Sequence, residues 1–147
     1  MSSYNEFPLA EGFVAEVGAP PHKLTHGTVS TISGPGVTSV NVYPYTGLIV
    51  VGNNNGTPVS HKPATARFTP PSLCSEVRLG FPANSSILPG LKVSIYDDSD
   101  KVLRTYEAPH PGDVYYEAEA GKSIKFVEVE ATGTWAHIAS LIFYRRC

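Results

Sequence analysis

Nowhere in this chain of 147 residues do 18 apolar side chains follow one another, so no helix of it could be long and apolar enough to cross a bilayer. Charge is scarce as well: Lys and Arg number 11 against 13 Asp and Glu, a formal net charge of -2, and charged residues make up only 16%. A near-neutral surface has no long-range field with which to gather a polyanion, which argues against nucleic acid as a partner. Long stretches without helix breakers are few, because 13 Gly and 13 Pro are spread along the whole length. They break most of the windows that an ordinary helix of about 11 residues would need. Common catalytic motifs, G-x-S-x-G, the phosphate-binding loop and H-E-x-x-H, are absent. The start, "MSSYNEFPLAEGF", lacks the basic stretch and apolar core of a signal peptide, although a leader removed earlier is compatible with it.

What is present reads as strands. "VTSVNVY" sets Val40 and Val42 on one face and Asn41 and Tyr43 on the other, and "EVRLGF" alternates Val77, Leu79 and Phe81 against Arg78. "LKVSIYD" repeats the pattern with Leu91, Val93 and Ile95, and "GLIVVG" is an apolar run short enough for a strand covered on both sides. "KVLRTYEA" and "DVYYEAEA" continue it, with Val114, Tyr116 and Ala118 sharing a face. Two runs carry a phase conflict. In "SIKFVEVEA", Ile124 and Phe126 are out of step with Val127, Val129 and Ala131; in "HIASLIFYRR", Ile138 is out of step with Leu141 and Phe143. An inserted residue in each, a β-bulge, would let all of them face the core. Short strands at roughly ten-residue spacing predict an all-β, two-sheet antiparallel β-sandwich over residues 29–147. Residues 1–28 show no sustained period and read as an irregular N-terminal arm, with Pro20 and Pro21 in a loop.

"YDDSDKVL" places Asp97, Asp98 and Asp100 between two apolar stretches. These residue types bond their own backbone in tight turns, which predicts a hairpin tip. Calcium is the rival, since three carboxylates supply part of the six to eight oxygens it needs, but no EF-hand glycine or twelfth-position glutamate completes a cage.

The succession "ATARFTPPSLCSEVRLGFP", "LKVSIYDDSDKVLRT", "KSIKFVEVEATGTWAHIASLIFYRR" resembles the second half of galactose-binding-like jelly-roll domains, over about residues 64–146. The resemblance implies a β-sandwich used for carbohydrate binding, cell-surface attachment or assembly, commonly with a structural calcium. It transfers no sugar-binding motif to a particular residue.

Candidate ligand contacts are therefore chosen by chemistry. Trp135, in "ATGTWAHI", offers a flat ring that could stack on the apolar face of a sugar, or could plug one end of the sandwich. His137 and the Asn53, Asn54, Asn55 turn carry groups that bond hydroxyls, and Tyr45, with Tyr43 beside Pro44, could form an aromatic patch. Each also has a plainer role, as surface, turn or packing. The acidic pairs Glu117 with Glu119 and Glu128 with Glu130 stand at alternate positions, the solvent face of amphipathic strands, and do not read as a glycosidase pair. His22 and His26 have a metal-ligand spacing but lie in a Pro-rich stretch without a third ligand.

Two cysteines remain. If Leu79 faces Leu141 and Val77 faces Phe143, Cys74 falls opposite Arg146, one step from Cys147, so a Cys74–Cys147 disulfide would need a local irregularity. Forming it would mark an oxidising compartment.

The leading expectation is a non-catalytic module, extracellular or secreted, that binds a glycan or cell-surface ligand through loops at one end. The alternative is a structural subunit of a fibre, capsid or appendage, self-associating through the arm and exposed strand edges.

Overall fold

Alternation of apolar and polar side chains lays down the strands of the computed structural model. It describes residues 2–5, 14–15, 20–33, 37–42, 45–51, 53–54, 57–58, 64–81, 91–107, 112–131 and 136–145. In chain order these hold β1 (Ser2–Asn5), β2 (Val14–Ala15), β3 (His22–Lys23), β4 (Thr28–Ser33), β5 (Val37–Val42), β6 (Tyr45–Val51), β7 (Asn53–Asn54) and β8 (Thr57–Pro58). There follow β9 (Ala64–Thr69), β10 (Glu76–Phe81), β11 (Leu91–Asp97), β12 (Val102–Glu107), β13 (Gly112–Glu117), β14 (Ile124–Ala131), β15 (Ala136–Ile138) and β16 (Ser140–Arg145). No helix occurs among the described residues.

One layer is a six-stranded sheet in the order β12-β11-β14-β9-β4-β3, antiparallel throughout. The other is built on the run 136–145: β16 pairs with β10 on one side and β1 on the other, β13 extends β10, and β15 pairs with β6, which leads to β5 and β2. The expected register is the one found, with Leu79 opposite Leu141 and Val77 opposite Phe143. Inward residues of both layers form one core: Val29, Phe68, Val93, Ile95, Val127 and Val129 from the first, Val77, Leu79, Phe81, Ile138, Leu141 and Phe143 from the second. Complete burial of such side chains contributes about 1.5–3 kcal/mol each relative to exposure, which fixes the register of every central strand.

Both phase conflicts are settled by irregularities, in different ways. At Ala139 the amide bonds Gly80 O at 2.8 Å while Ser140 is the register partner of Gly80, so two residues oppose one. Ile138, Leu141 and Phe143 are then all buried in the core. In β14, Tyr96 pairs with Phe126 and Asp97 with Ile124, which leaves Lys125 as the extra residue. That brings Ile124 into phase with Val127, Val129 and Ala131, but Phe126 remains on the opposite, outer face. The expectation that Phe126 joins the core is corrected.

The first 28 residues, expected to be irregular, contribute three short strands among the described residues. Ser2–Asn5 pairs with Ile142–Arg145, Val14–Ala15 with β5, and His22–Lys23 with the start of β4. Tyr4 packs against the core and its ring tilts against His26 at 5.6 Å. Where the β3–β4 turn crosses the end of β9, a Cβ on Gly27 would collide with the Thr69 carbonyl oxygen, so only glycine fits.

Candidate functional site

The strand directions define two ends of the sandwich. At one end stop β4, β6, β10, β12 and β14 and start β5, β9, β11, β13 and β15, so the connections 34–36, 52–63, 82–90, 108–111 and 132–135 all leave from there. Most residues of these connections lie outside the described set. At the opposite end lie 24–27, 43–44, 70–75, 98–101 and 118–123.

This topology brings some candidate residues together and separates one. His137 is the register partner of Val50, and Ala136, the residue after Trp135, is opposite Val51. Asn53 and Asn54, separated from the end of β6 by one residue, form β7, paired with Thr57–Pro58 across Asn55 and Gly56 in the sequence. His137, Asn53 and Asn54 therefore belong to the same end. Tyr45 opens β6 and pairs with Val42, a strand length of about 20 Å away. It does not share an end with Asn53. Trp135 and Asn55 themselves lie outside the described residues.

The three-aspartate corner is the tip of the β11–β12 hairpin. Asp97, 5% exposed, accepts the amides of Ser99 and Lys101 on Oδ1, each at 2.9 Å. Its own amide bonds Lys101 O at 2.8 Å, and Asp100 takes a left-handed conformation with φ 61°. The amide bonds from Lys101 and Ser99, with the nearby charges of Lys122 and Lys101, hold the Asp97 carboxyl below the usual carboxylate range. Asp100 Oδ1 is paired with Lys125 Nζ at 2.9 Å, and Asp98 is exposed. These carboxylates do not fit a calcium cage: Asp97 is committed to amides and Asp100 to an ammonium. No group of three or more His, Cys, Asp or Glu side chains among the described residues is arranged to hold a metal ion.

A second cluster, missed in the sequence, stands on the outer face of the six-stranded sheet. Phe126 and Tyr96, opposite each other on β14 and β11, stack with centroids 4.7 Å apart and planes at 25°. The Arg67 guanidinium covers the Phe126 ring at 4.1 Å. Arg67 also donates from Nε at 3.0 Å and Nη2 at 2.7 Å to Glu128 Oε2. Burial and then the Glu128 charge push the Tyr96 phenol above its ordinary range. The signal for this cluster was the parity of Phe126 with Glu128 and Glu130, which marks it as outward.

On the outer face of the other sheet, the Tyr115 hydroxyl donates to Glu76 Oε2 at 2.9 Å and lies 3.5 Å from Glu117 Oε2. Arg78 lies over the Tyr115 ring at 5.4 Å. At the end away from the 132–135 connection, Leu73, Cys74, Ser75, Ser123 and Arg145 line an open hollow of about 340 Å³. Cys74 there is a free, buried thiol whose Sγ donates to Ser72 O at 3.3 Å, and its expected partner Cys147 lies outside the described residues.

No protein-family model and no curated protein matches the chain. Solved structures do. The xylan-binding module CBM86 from Roseburia intestinalis superposes with a TM-score of 0.53 at 9% identity, covering 99% of this chain and 95% of that one. The lectin domain of lectinolysin, complexed with Lewis B antigen, gives 0.52 at 11% identity, covering 82% of this chain and 94% of that one. A mutant of that domain, complexed with Lewis b, gives 0.52 at 12% identity over 86% of this chain and 100% of that one. The chain has the two-sheet antiparallel β-sandwich of these lectin and carbohydrate-binding domains, a galactose-binding-like fold.

Proposed function

We propose that this chain is a non-catalytic carbohydrate-binding module that takes a glycan at the end of the sandwich from which the 52–63 and 132–135 connections leave. One observation carries the reading: a single-domain sandwich that superposes along nearly its whole length on a module named for xylan binding, and also on a lectin domain solved with a Lewis antigen. Fold alone does not assign a ligand, so the site's own chemistry is the second support. Trp135 supplies a stacking surface, and His137 with Asn53 and Asn54 supplies hydroxyl partners from neighbouring strand ends. A near-neutral net charge of -2 suits an uncharged ligand, and glycans of this kind are met outside the cell.

A glycan array followed by calorimetric titration tests the proposal. Retention of at least one glycan class is expected, with Trp135→Ala weakening it about tenfold or more. An empty array overturns glycan binding; a Trp135→Ala variant that binds unchanged overturns its assignment to this end.

A further inference from the structure

The Arg67–Phe126–Tyr96 column has an unstacked end. Its ring separation of 4.7 Å equals the usual spacing between neighbouring strands, about 4.8 Å, so the rings stand upright and stack along the hydrogen-bonding direction of the sheet. Arg67 closes one side of Phe126, and Phe126 closes one side of Tyr96. The remaining face of Tyr96 is turned toward β12, the edge strand, and no ring or cation of the described residues covers it. Directly opposite Tyr96 on that edge is Val102, an aliphatic side chain left 53% exposed. A bulge here puts Leu103 against the core and leaves Val102 outward.

Going along the same outer face, the next opposed pair is Ser94 with Thr105, their hydroxyls 3.4 Å apart, and the next is Lys92 with Glu107. Successive outward pairs are about 7 Å apart, so the row extends for about 13 Å. It begins with a ring and an aliphatic wall, passes hydroxyls, and ends on two opposite charges. Leu91, beside Lys92, is the register partner of Ala131, where the chain leaves for Trp135.

We infer that this row on β11 and β12 is a second glycan contact, in which the open face of Tyr96 and the Val102 side chain take the C–H face of one pyranose of a linear, neutral oligosaccharide while the half-buried Thr105, held from beneath by the buried Ser94 hydroxyl, bonds one of its hydroxyls. The inference rests on the proposed glycan binding and adds a ligand class, a chain of several sugars that runs from the loop end onto the sheet. Glu128 supports it indirectly as a positioning residue: by bonding Arg67 it holds the guanidinium over Phe126, the ring on which Tyr96 stacks, and so orders the column before any ligand arrives, which lowers the ordering cost of binding.

The test compares xylose with xylohexaose, a linear neutral chain, by calorimetry and by methyl and aromatic NMR. In the wild type xylohexaose binds more tightly than xylose, and the Val102 methyl and Tyr96 ring signals shift only with the hexamer. Tyr96→Ala and Val102→Glu each lose about fivefold to tenfold of the hexamer affinity and leave weak xylose binding unchanged. Val102→Glu guards against misfolding of the first variant, because the replaced side chain is exposed. Hexamer affinity that is equal in all three proteins, or hexamer signals confined to other residues, overturns the row while glycan binding stands. A wild type that retains nothing on a glycan array overturns both.

Discussion

Glu128 holds Arg67 through two hydrogen bonds to a single carboxylate oxygen, 3.0 Å from Nε and 2.7 Å from Nη2, above the ring of Phe126. The pair straddles the solvent boundary, with side chains 39% and 16% exposed, so water takes up part of what the contact supplies. Glu128→Ala should therefore cost only about 1 kcal/mol in urea denaturation, and Glu128→Gln less, because the amide oxygen still accepts. A spectroscopic readout separates this from a general loss. With the carboxylate neutralised, the Tyr96 phenol should titrate closer to its ordinary range, remaining raised by burial and, to a smaller extent, by the Glu130 charge. An unchanged phenol titration in Glu128→Gln would show that the carboxylate does not act on Tyr96.

The Asp97 carboxyl gives the hairpin tip its acid sensitivity. Its folded pKa lies below the unfolded value, chiefly because the Lys101 and Ser99 amides bond the charged form. Such a group contributes stability at pH above its unfolded pKa, about 3.9, and the contribution disappears as pH falls through the lower folded value. Stability measured at successive pH values should thus decline below about pH 4 in the wild type. Asp97→Asn should be less stable near neutral pH and should decline less steeply in acid. Parallel curves for the two proteins would mean that Asp97 does not carry the acid response.

The Cys74 thiol behaves in the opposite sense. Burial pushes its pKa from 9.0 up to about 11, against a smaller lowering by Arg145. The folded protein then holds its proton longer than the unfolded chain, so the thiol's stabilising contribution is full below pH 9 and is lost as pH rises toward 11. At pH 8 native Cys74 should resist iodoacetamide for hours, while in urea it should react as an ordinary thiol. Mass spectrometry of the peptide containing Cys74 reads this site separately from Cys147. Rapid labelling in native buffer would contradict a buried thiol at this position.

How far the sequence could be read depended on whether a side chain's neighbours were local. Val77, Leu79, Leu141 and Phe143 declare their inward face by alternation, and the register between their strands follows because only one pairing buries all of them. Phe126 was misread for a physical reason: apolarity suggested core, but its ring is covered on the outer face by Arg67 and Tyr96, from strands nearly 60 and exactly 30 positions away in sequence. Ser2–Asn5 carries no period because a short edge strand is held by one neighbour, β16, at the far end of the chain. The candidate site suffered likewise. Residue chemistry picked Asn53, His137 and Tyr45, but only the pairing of β6 with β15 separates Tyr45 from the other two.

The extra residue in the last strand run offers a direct test of that reading. Ala139 and Ser140 together oppose Gly80, and this is why even-numbered Ile138 and odd-numbered Leu141 and Phe143 share the core. Deleting Ala139 would turn the run into a regular strand in which Ile138 still precedes Leu141 by an even step, so all three remain inward. Its cost should be that of a lost local irregularity and a one-residue shift against β6, about 1–3 kcal/mol. Deleting Ile142 instead places Leu141 directly before Phe143, and a strand cannot point neighbours to the same side. One large side chain must then leave the core, a loss of about 2–5 kcal/mol for that residue alone, with the β1 and β10 pairings broken as well. Circular dichroism and urea denaturation should find the first variant folded with a lower midpoint and the second unfolded. Equal losses from the two deletions would mean that the alternation is not what fixes this strand.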